Sequence, residues 1–195
     1  MRHLLLATRN AHKTREFSEI LGADFRVRDL SGESEAPAIE ETGQTFAENA
    51  ILKAVAISKL FPGFVVGDDS GLEVDLLGGA PGIYSARYAG AGATDQKNIE
   101  RLLSQLRPFQ DRDPWSARFR CVLALGREGK LLETCEGVTE GIIIATPRGA
   151  GGFGYDPVFQ PEGLTETFGE LRASEKNRIS HRARAIGRLR IALTR

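Results

Sequence analysis

Apolar and polar residues along this chain follow two rhythms. His3 to Ala7 is an apolar run of strand length, followed by the polar loop Thr8-Arg9-Asn10. From Ala11 to Leu21, Phe17, Ile20 and Leu21 fall on one helical face, and Gly22 supplies the stop. Phe25-Arg26-Val27-Arg28 alternates like a second strand, and the acidic, Pro37-broken stretch from Ser31 to Gln44 reads as loop. Thr45-Phe46-Ala47-Glu48 fits a capping box that opens a helix to about Leu60, where Pro62-Gly63 ends it. Phe64 to Gly67 is predicted as strand, and Leu72 to Gly92, rich in glycine and alanine, as a structured loop. Thr94 or Asp95 caps a helix carrying Ile99, Leu102, Leu103 and Leu106 at helical spacing. Ala117 to Leu125, Leu131 to Val138 and Gly141 to Ala145 read as three consecutive strands. The glycine block Gly149 to Gly154 follows them, and Ser180 caps a last helix with Ala183, Ile186, Leu189 and Leu193. Helices and strands alternate first and strands cluster later, so the expected class is α/β with a mixed sheet.

Length and charge narrow the picture. The chain has 195 residues, enough for a single domain over 1–195 with room for two lobes. Its 26 basic and 26 acidic residues balance, which speaks against a general nucleic-acid binder without forbidding a local basic pocket. Cys121 and Cys135 are the two cysteines; they sit in no metal-ligand spacing and are expected in the core. With no signal-like or membrane-length apolar run, the expectation is a soluble cytoplasmic protein.

Five segments carry candidate chemistry. Thr8-Arg9-Asn10-Ala11-His12-Lys13 joins a strand to a helix start, where amide groups and the helix dipole favour anions. Thr8 and Asn10 can add hydrogen bonds there, and Lys13 a positive charge. In the segment from Glu40 to Lys53, Phe46, Asn49 and Lys53 share roughly one helical face, so Lys53 can point into a cleft with Asn49. Val66-Gly67-Asp68-Asp69-Ser70-Gly71 ends an apolar run in paired carboxylates, which a buried strand would deliver to a sheet rim. Adjacent residues of a strand point opposite ways, so the two aspartates are expected to differ in role. Phe153-Gly154-Tyr155-Asp156 places two aromatics among glycines, suited to stacking on a base. Ser174 to Arg182 brings Lys176, His181 and Arg182 to a helix start, where they can reach phosphate or a purine edge.

Together these segments resemble the inosine triphosphate pyrophosphatase family, most closely its bacterial XTP/dITP diphosphatase branch. Asp68 to Leu72 with Gly78 to Tyr88 is the most specific match, and the segments run in family order along essentially the whole chain. The resemblance implies an elongated mixed β-sheet flanked by helices, with two lobes around a central substrate cleft. It also implies a homodimer. The implied activity is Mg²⁺-dependent hydrolysis of deaminated purine nucleoside triphosphates (ITP, dITP, XTP) to the monophosphate and pyrophosphate. By the family pattern Asp69 is general base and metal ligand. Glu40, three residues before Gly43, is the expected second metal ligand, with Glu41 the alternative. Thr8, Arg9, Asn10, Ala11, His12, Lys13 and Lys53 are expected to bind triphosphate. Ser70, Phe153, Gly154, Tyr155, Asp156, Lys176, His181 and Arg182 are expected to bind substrate. Arg9 departs from the glycine that many members carry in its slot. A non-catalytic nucleotide-binding regulator would share the basic and aromatic features without needing Asp69 and a second acid. An RNA-binding module would want the broad basic face that the balanced charge lacks.

Overall fold

The protein, described as a computed structural model over residues 1–112 and 114–194, has one six-stranded sheet of order β2-β1-β3-β4-β5-β6. Its strands are β1 (Arg2–Leu6), β2 (Phe25–Asp29), β3 (Phe64–Val74), β4 (Trp115–Arg127), β5 (Lys130–Ile143) and β6 (Phe159–Pro161). The helices are α1 (Ala11–Leu21), α2 (Phe46–Ser58), α3 (Asp95–Leu106), α4 (Ala173–Ile179) and α5 (His181–Thr194). β1 pairs in parallel with β2 and with β3, while β5 and β6 are antiparallel, so the sheet is mixed as expected. The chain divides into two compact units, and β3, β4 and β5 each contribute residues to both.

The first unit comprises Met1–Asp69, Cys121–Gly137 and His181–Arg195. Its β1 is buried on both faces, which is why it reads as an unbroken apolar run. Leu4 and Leu6 enter a core cluster with Phe17, Val66, Cys121, Cys135 and Leu189; Leu5 and Ala7 enter a second cluster with Ile57 and Val65. That strict alternation carries into β3. Val66 lies on the side of α1 and α5, and Val65 on the side of α2. Gly67 follows Val65 in facing α2 so closely that a Cβ would stand 2.0 Å from the Ala50 carbonyl oxygen. Any side chain there would push α2 off the sheet.

The second unit comprises Ser70–Arg120 and Val138–Ser180. Leu72, Val74, Leu102, Leu106, Phe119, Phe159 and Phe168 form its core. The ring of Phe159 meets Phe119 edge-on at 4.7 Å and Phe168 at 5.2 Å.

Three sequence expectations are corrected here. β3 does not end at Gly67 but runs through Asp68-Asp69-Ser70-Gly71 to Val74, so the two acids lie mid-strand rather than at a rim. The stretch from Leu131 to Ala145 is not two strands, since β5 runs unbroken from Lys130 to Ile143. Within that strand Gly137 gives room to α5: a Cβ would stand 2.0 Å from the His181 carbonyl oxygen. Finally, α4 precedes the helix expected after Ser180, and β6 follows the glycine block.

Candidate active site

The alternation of β3 sends its two aspartates to opposite faces. Asp68 shares a face with Val66 and meets α1 and α5; Asp69 shares a face with Gly67 and meets α2. Each receives a lysine from a different helix.

On the α2 face, Asp69 Oδ1 accepts from Lys53 Nζ at 2.9 Å and its Oδ2 from Asn49 Nδ2 at 3.3 Å. Lys53 also donates to Glu41 Oε1 at 3.0 Å. Asn49 and Lys53 are one helical turn apart on the buried face of α2, whose start is fixed by the Thr45 hydroxyl accepting from the Glu48 amide at 3.1 Å. The Asn49 Oδ1 accepts from the Gly43 amide at 2.8 Å, which ties the acidic loop to the same helix. Burial raises the pKa of Asp69, against the opposing pull of Lys53. Burial acts to lower the pKa of Lys53, but Asp69 and then Glu41 outweigh it and hold the ammonium charged.

On the other face, Asp68 is fully buried. Lys13 Nζ bonds its Oδ1, while its Oδ2 accepts from Arg182 Nε at 3.0 Å and from the Cys121 thiol at 3.5 Å. Arg182 Nη1 in turn donates to Glu16 Oε2 at 2.5 Å. Burial alone would raise the pKa of Asp68, but Arg182 first and Lys13 next drive it well below the usual carboxylate range. Cys121 is pushed the other way, well above an ordinary thiol, by burial and by Asp68.

The loop ahead of α1 is held by its own hydrogen bonds. Asn10 caps the helix, its Oδ1 accepting from the amides of His12 at 2.9 Å and Lys13 at 3.3 Å. Those two amides are therefore engaged by the cap. Thr8 Oγ1 accepts from the Asn10 amide at 3.1 Å, and Ala11 opens the helix. Arg9 turns its guanidinium to the Ala36 carbonyl at 2.6 Å. Glu40 is exposed; Glu41 is the member of the pair that meets Lys53.

In the second unit, Ser70 is half-buried on β3. Phe153 is half-buried, with Lys176 Nζ 4.9 Å from its ring centre. Asp156 Oδ2 accepts from the Phe153 amide at 2.9 Å and from Lys176 Nζ at 2.5 Å, which closes the loop on itself. Gly154 donates its amide to Asp95 at 2.6 Å. Tyr155 is not a free stacking platform: its ring is in the core and its hydroxyl donates to the Ser85 carbonyl at 2.9 Å. In the first unit, His181 and Arg182 are both buried at the start of α5.

Sequence reasoning did not single out Glu16, and it took Cys121 only as a core residue and Asp95 only as a possible helix cap. Glu16 carried a signal, lying one turn beyond Lys13 and next to the buried Phe17, a position where a charge needs a partner.

The donor set fits a hard divalent cation. Two carboxylate oxygens, from Asp69 and Glu41, converge within 3.0 Å of one ammonium, so the protein has built a place for positive charge lined by oxygen. Among the described residues no group of three or more His, Cys, Asp or Glu could hold a metal. Two carboxylates with the balance from substrate and water is how Mg²⁺ is usually held.

A mixed α/β sheet with a buried, lysine-gripped carboxylate on each face of one strand has the make-up of a phosphate-handling hydrolase. The chain belongs to the Ham1 family, whose model matches residues 4–192. It is 49% identical over 190 residues to a dITP/XTP pyrophosphatase of Bacillus licheniformis, covering 97% of this chain and 96% of that one. It is 48% identical to the dITP/XTP pyrophosphatase of Bacillus subtilis over the same shares. Among solved structures, a HAM1 protein from Coxiella burnetii superposes with a TM-score of 0.87 at 43% identity, covering 100% of this chain and 99% of that one. The Staphylococcus aureus Ham1 protein gives 0.86 at 40%, covering 99% and 98%.

Proposed function

We propose that this protein hydrolyses the deaminated purine nucleoside triphosphates ITP, dITP and XTP to the nucleoside monophosphate and pyrophosphate, with Mg²⁺. The observation that carries the reading is Asp69, a buried carboxylate with a raised pKa, aimed by Lys53 and Asn49 and neighboured by a second acid. Relatives of nearly half identity over nearly the full chain carry the corresponding activity in their names, which supports the substrate class.

Asp69 accepts the proton of a water as its oxygen attacks the α-phosphorus. Its raised pKa brings it nearer the working pH, which favours a general base. Lys13 and Lys53 offset the roughly four negative charges of the triphosphate and ease departure of pyrophosphate. Asp69 and Glu41 would hold Mg²⁺, which when bound supplies charge neutralisation at the phosphates. Glu41 takes this role rather than Glu40 because it already shares a cation with Asp69.

Phe153 offers a ring face to the purine. A donor such as His181 can donate to the 6-carbonyl of hypoxanthine or xanthine and is left without its bond by the amine of adenine. A buried donor so deprived costs about 1–3 kcal/mol, roughly ten- to a hundredfold in preference. The same reading has the enzyme acting on free nucleotides in the cytoplasm as a homodimer, without nucleic acid or membrane. Among the described residues no helix is long and apolar enough to cross a membrane.

The test is a steady-state comparison of ITP, dITP, XTP, ATP and GTP, with Mg²⁺ and with EDTA, detecting pyrophosphate directly. The expected result is strong preference for the first three, monophosphate as co-product and no turnover in EDTA. Equal rates would remove the base-reading argument; no turnover of any would remove the hydrolase.

A further inference from the structure

Asp68 divides its two oxygens. Oδ1 is held by Lys13, whereas Oδ2 is held by Arg182 and by the Cys121 thiol. If Lys13 leaves, Asp68 therefore keeps hydrogen bonds to a cation and a thiol. Lys13 has a flexible four-carbon stem and sits in the first turn of α1. Arg182 cannot move in the same way, because its side chain is 1% exposed and is bonded at once to Asp68 and Glu16. The four charges alternate along the chain of contacts from Lys13 through Asp68 and Arg182 to Glu16, and they sum to zero.

We propose that Lys13 is a swinging cation, parked on Asp68 in the empty protein and released to the triphosphate, and that Glu16, acting through Arg182, is the positioning residue that sets how tightly it is parked. Glu16 draws part of the Arg182 charge to itself and so leaves Asp68 a stronger hold on Lys13. Removing that negative charge turns more of the Arg182 charge to Asp68 and loosens Lys13. Arg182 acts in this network as a positioning residue for Asp68. This inference rests on the reading of Lys13 as a phosphate-binding cation.

Glu16→Gln is the decisive variant, since glutamine still offers Arg182 an acceptor oxygen but no charge. The measurement is the dissociation constant for inorganic tripolyphosphate by calorimetry in metal-free buffer with EDTA. Glu16→Gln should bind about three- to tenfold more tightly than the parent protein, in the range of one partly screened charge contact. Glu16→Asp should bind like the parent. In a Lys13→Ala background the gain from Glu16→Gln should vanish. Unchanged or weaker binding by Glu16→Gln, or an equal gain without Lys13, overturns the proposal. Should Glu16→Gln not fold, Cys121→Ala carries the test. With one donor lost, Asp68 leans harder on Lys13 and binding weakens about two- to threefold; unchanged binding overturns the proposal. A Lys13→Ala protein that binds like the parent would instead remove Lys13 from the phosphate site altogether. That differs from a Lys13→Ala loss with a silent Glu16→Gln, which leaves the phosphate reading standing and sinks the network alone.

Discussion

Asp68 and Asp69 are neighbours on one strand, carry the same side chain and are both buried, yet their surroundings drive them in opposite directions. Asp68 meets a guanidinium, an ammonium and a thiol, and is held firmly ionised. Asp69 meets one ammonium and an amide, and burial wins, so its proton affinity rises. The first is a charge locked into the fold; the second is the carboxylate proposed as the base. The difference comes from strand geometry, because the alternation that sends one to α1 and α5 sends the other to α2.

Breaking each aspartate in turn separates the two roles. Asp69→Asn should cost about 10²–10⁴-fold in kcat, the usual range for a lost general base. It should melt close to the parent, because the amide oxygen still accepts from Lys53. Full activity in that variant would move the base elsewhere. Asp68→Asn should do the reverse in kind: it strands the buried Arg182, and unfolding by urea should show a loss of about 3–5 kcal/mol. A parental melting curve would show that Glu16 alone suffices for Arg182.

Smaller effects sharpen the comparison. Glu41→Gln should raise the Mg²⁺ concentration for half-maximal activity by about tenfold, whereas Glu40→Gln should leave it unchanged. The opposite pattern would return the metal to Glu40. The least effect is expected in acid. Asp68, with a depressed pKa, contributes stability that is present above the ordinary aspartate value of 3.8 and is lost as pH falls through its lower folded value. Asp69, with a raised pKa, has the opposite sign. Unfolding free energy followed below pH 4 should therefore fall less steeply in Asp68→Asn than in the parent, and an identical slope would show that Asp68 is not the depressed group.

Much of this was legible in the order of residues. The ends of α1 were readable because the polar loop Thr8-Arg9-Asn10 precedes it and Gly22 is a local stop signal. The start of α2 was readable because Thr45 is a cap, and the mixed α/β class followed from the change of rhythm along the chain. What was misread has a common cause. Asp-Asp-Ser-Gly is good turn chemistry taken alone, and only the cations brought by α1, α2 and α5 let two carboxylates sit inside a strand. The break expected after Val138 is likewise absent, since β5 runs on without interruption to Ile143.

The sequence by itself determined which residues bear charge, which runs are apolar enough to be buried on both faces, and that adjacent strand residues must diverge. Those are local properties of side chains and of the backbone period. The tertiary structure alone decided that Glu41 rather than Glu40 meets Lys53 and that Arg182 is walled in between Asp68 and Glu16. Each of these depends on which distant segments meet. Coulomb attraction and desolvation act through distances in space, and spacing along the chain does not contain them.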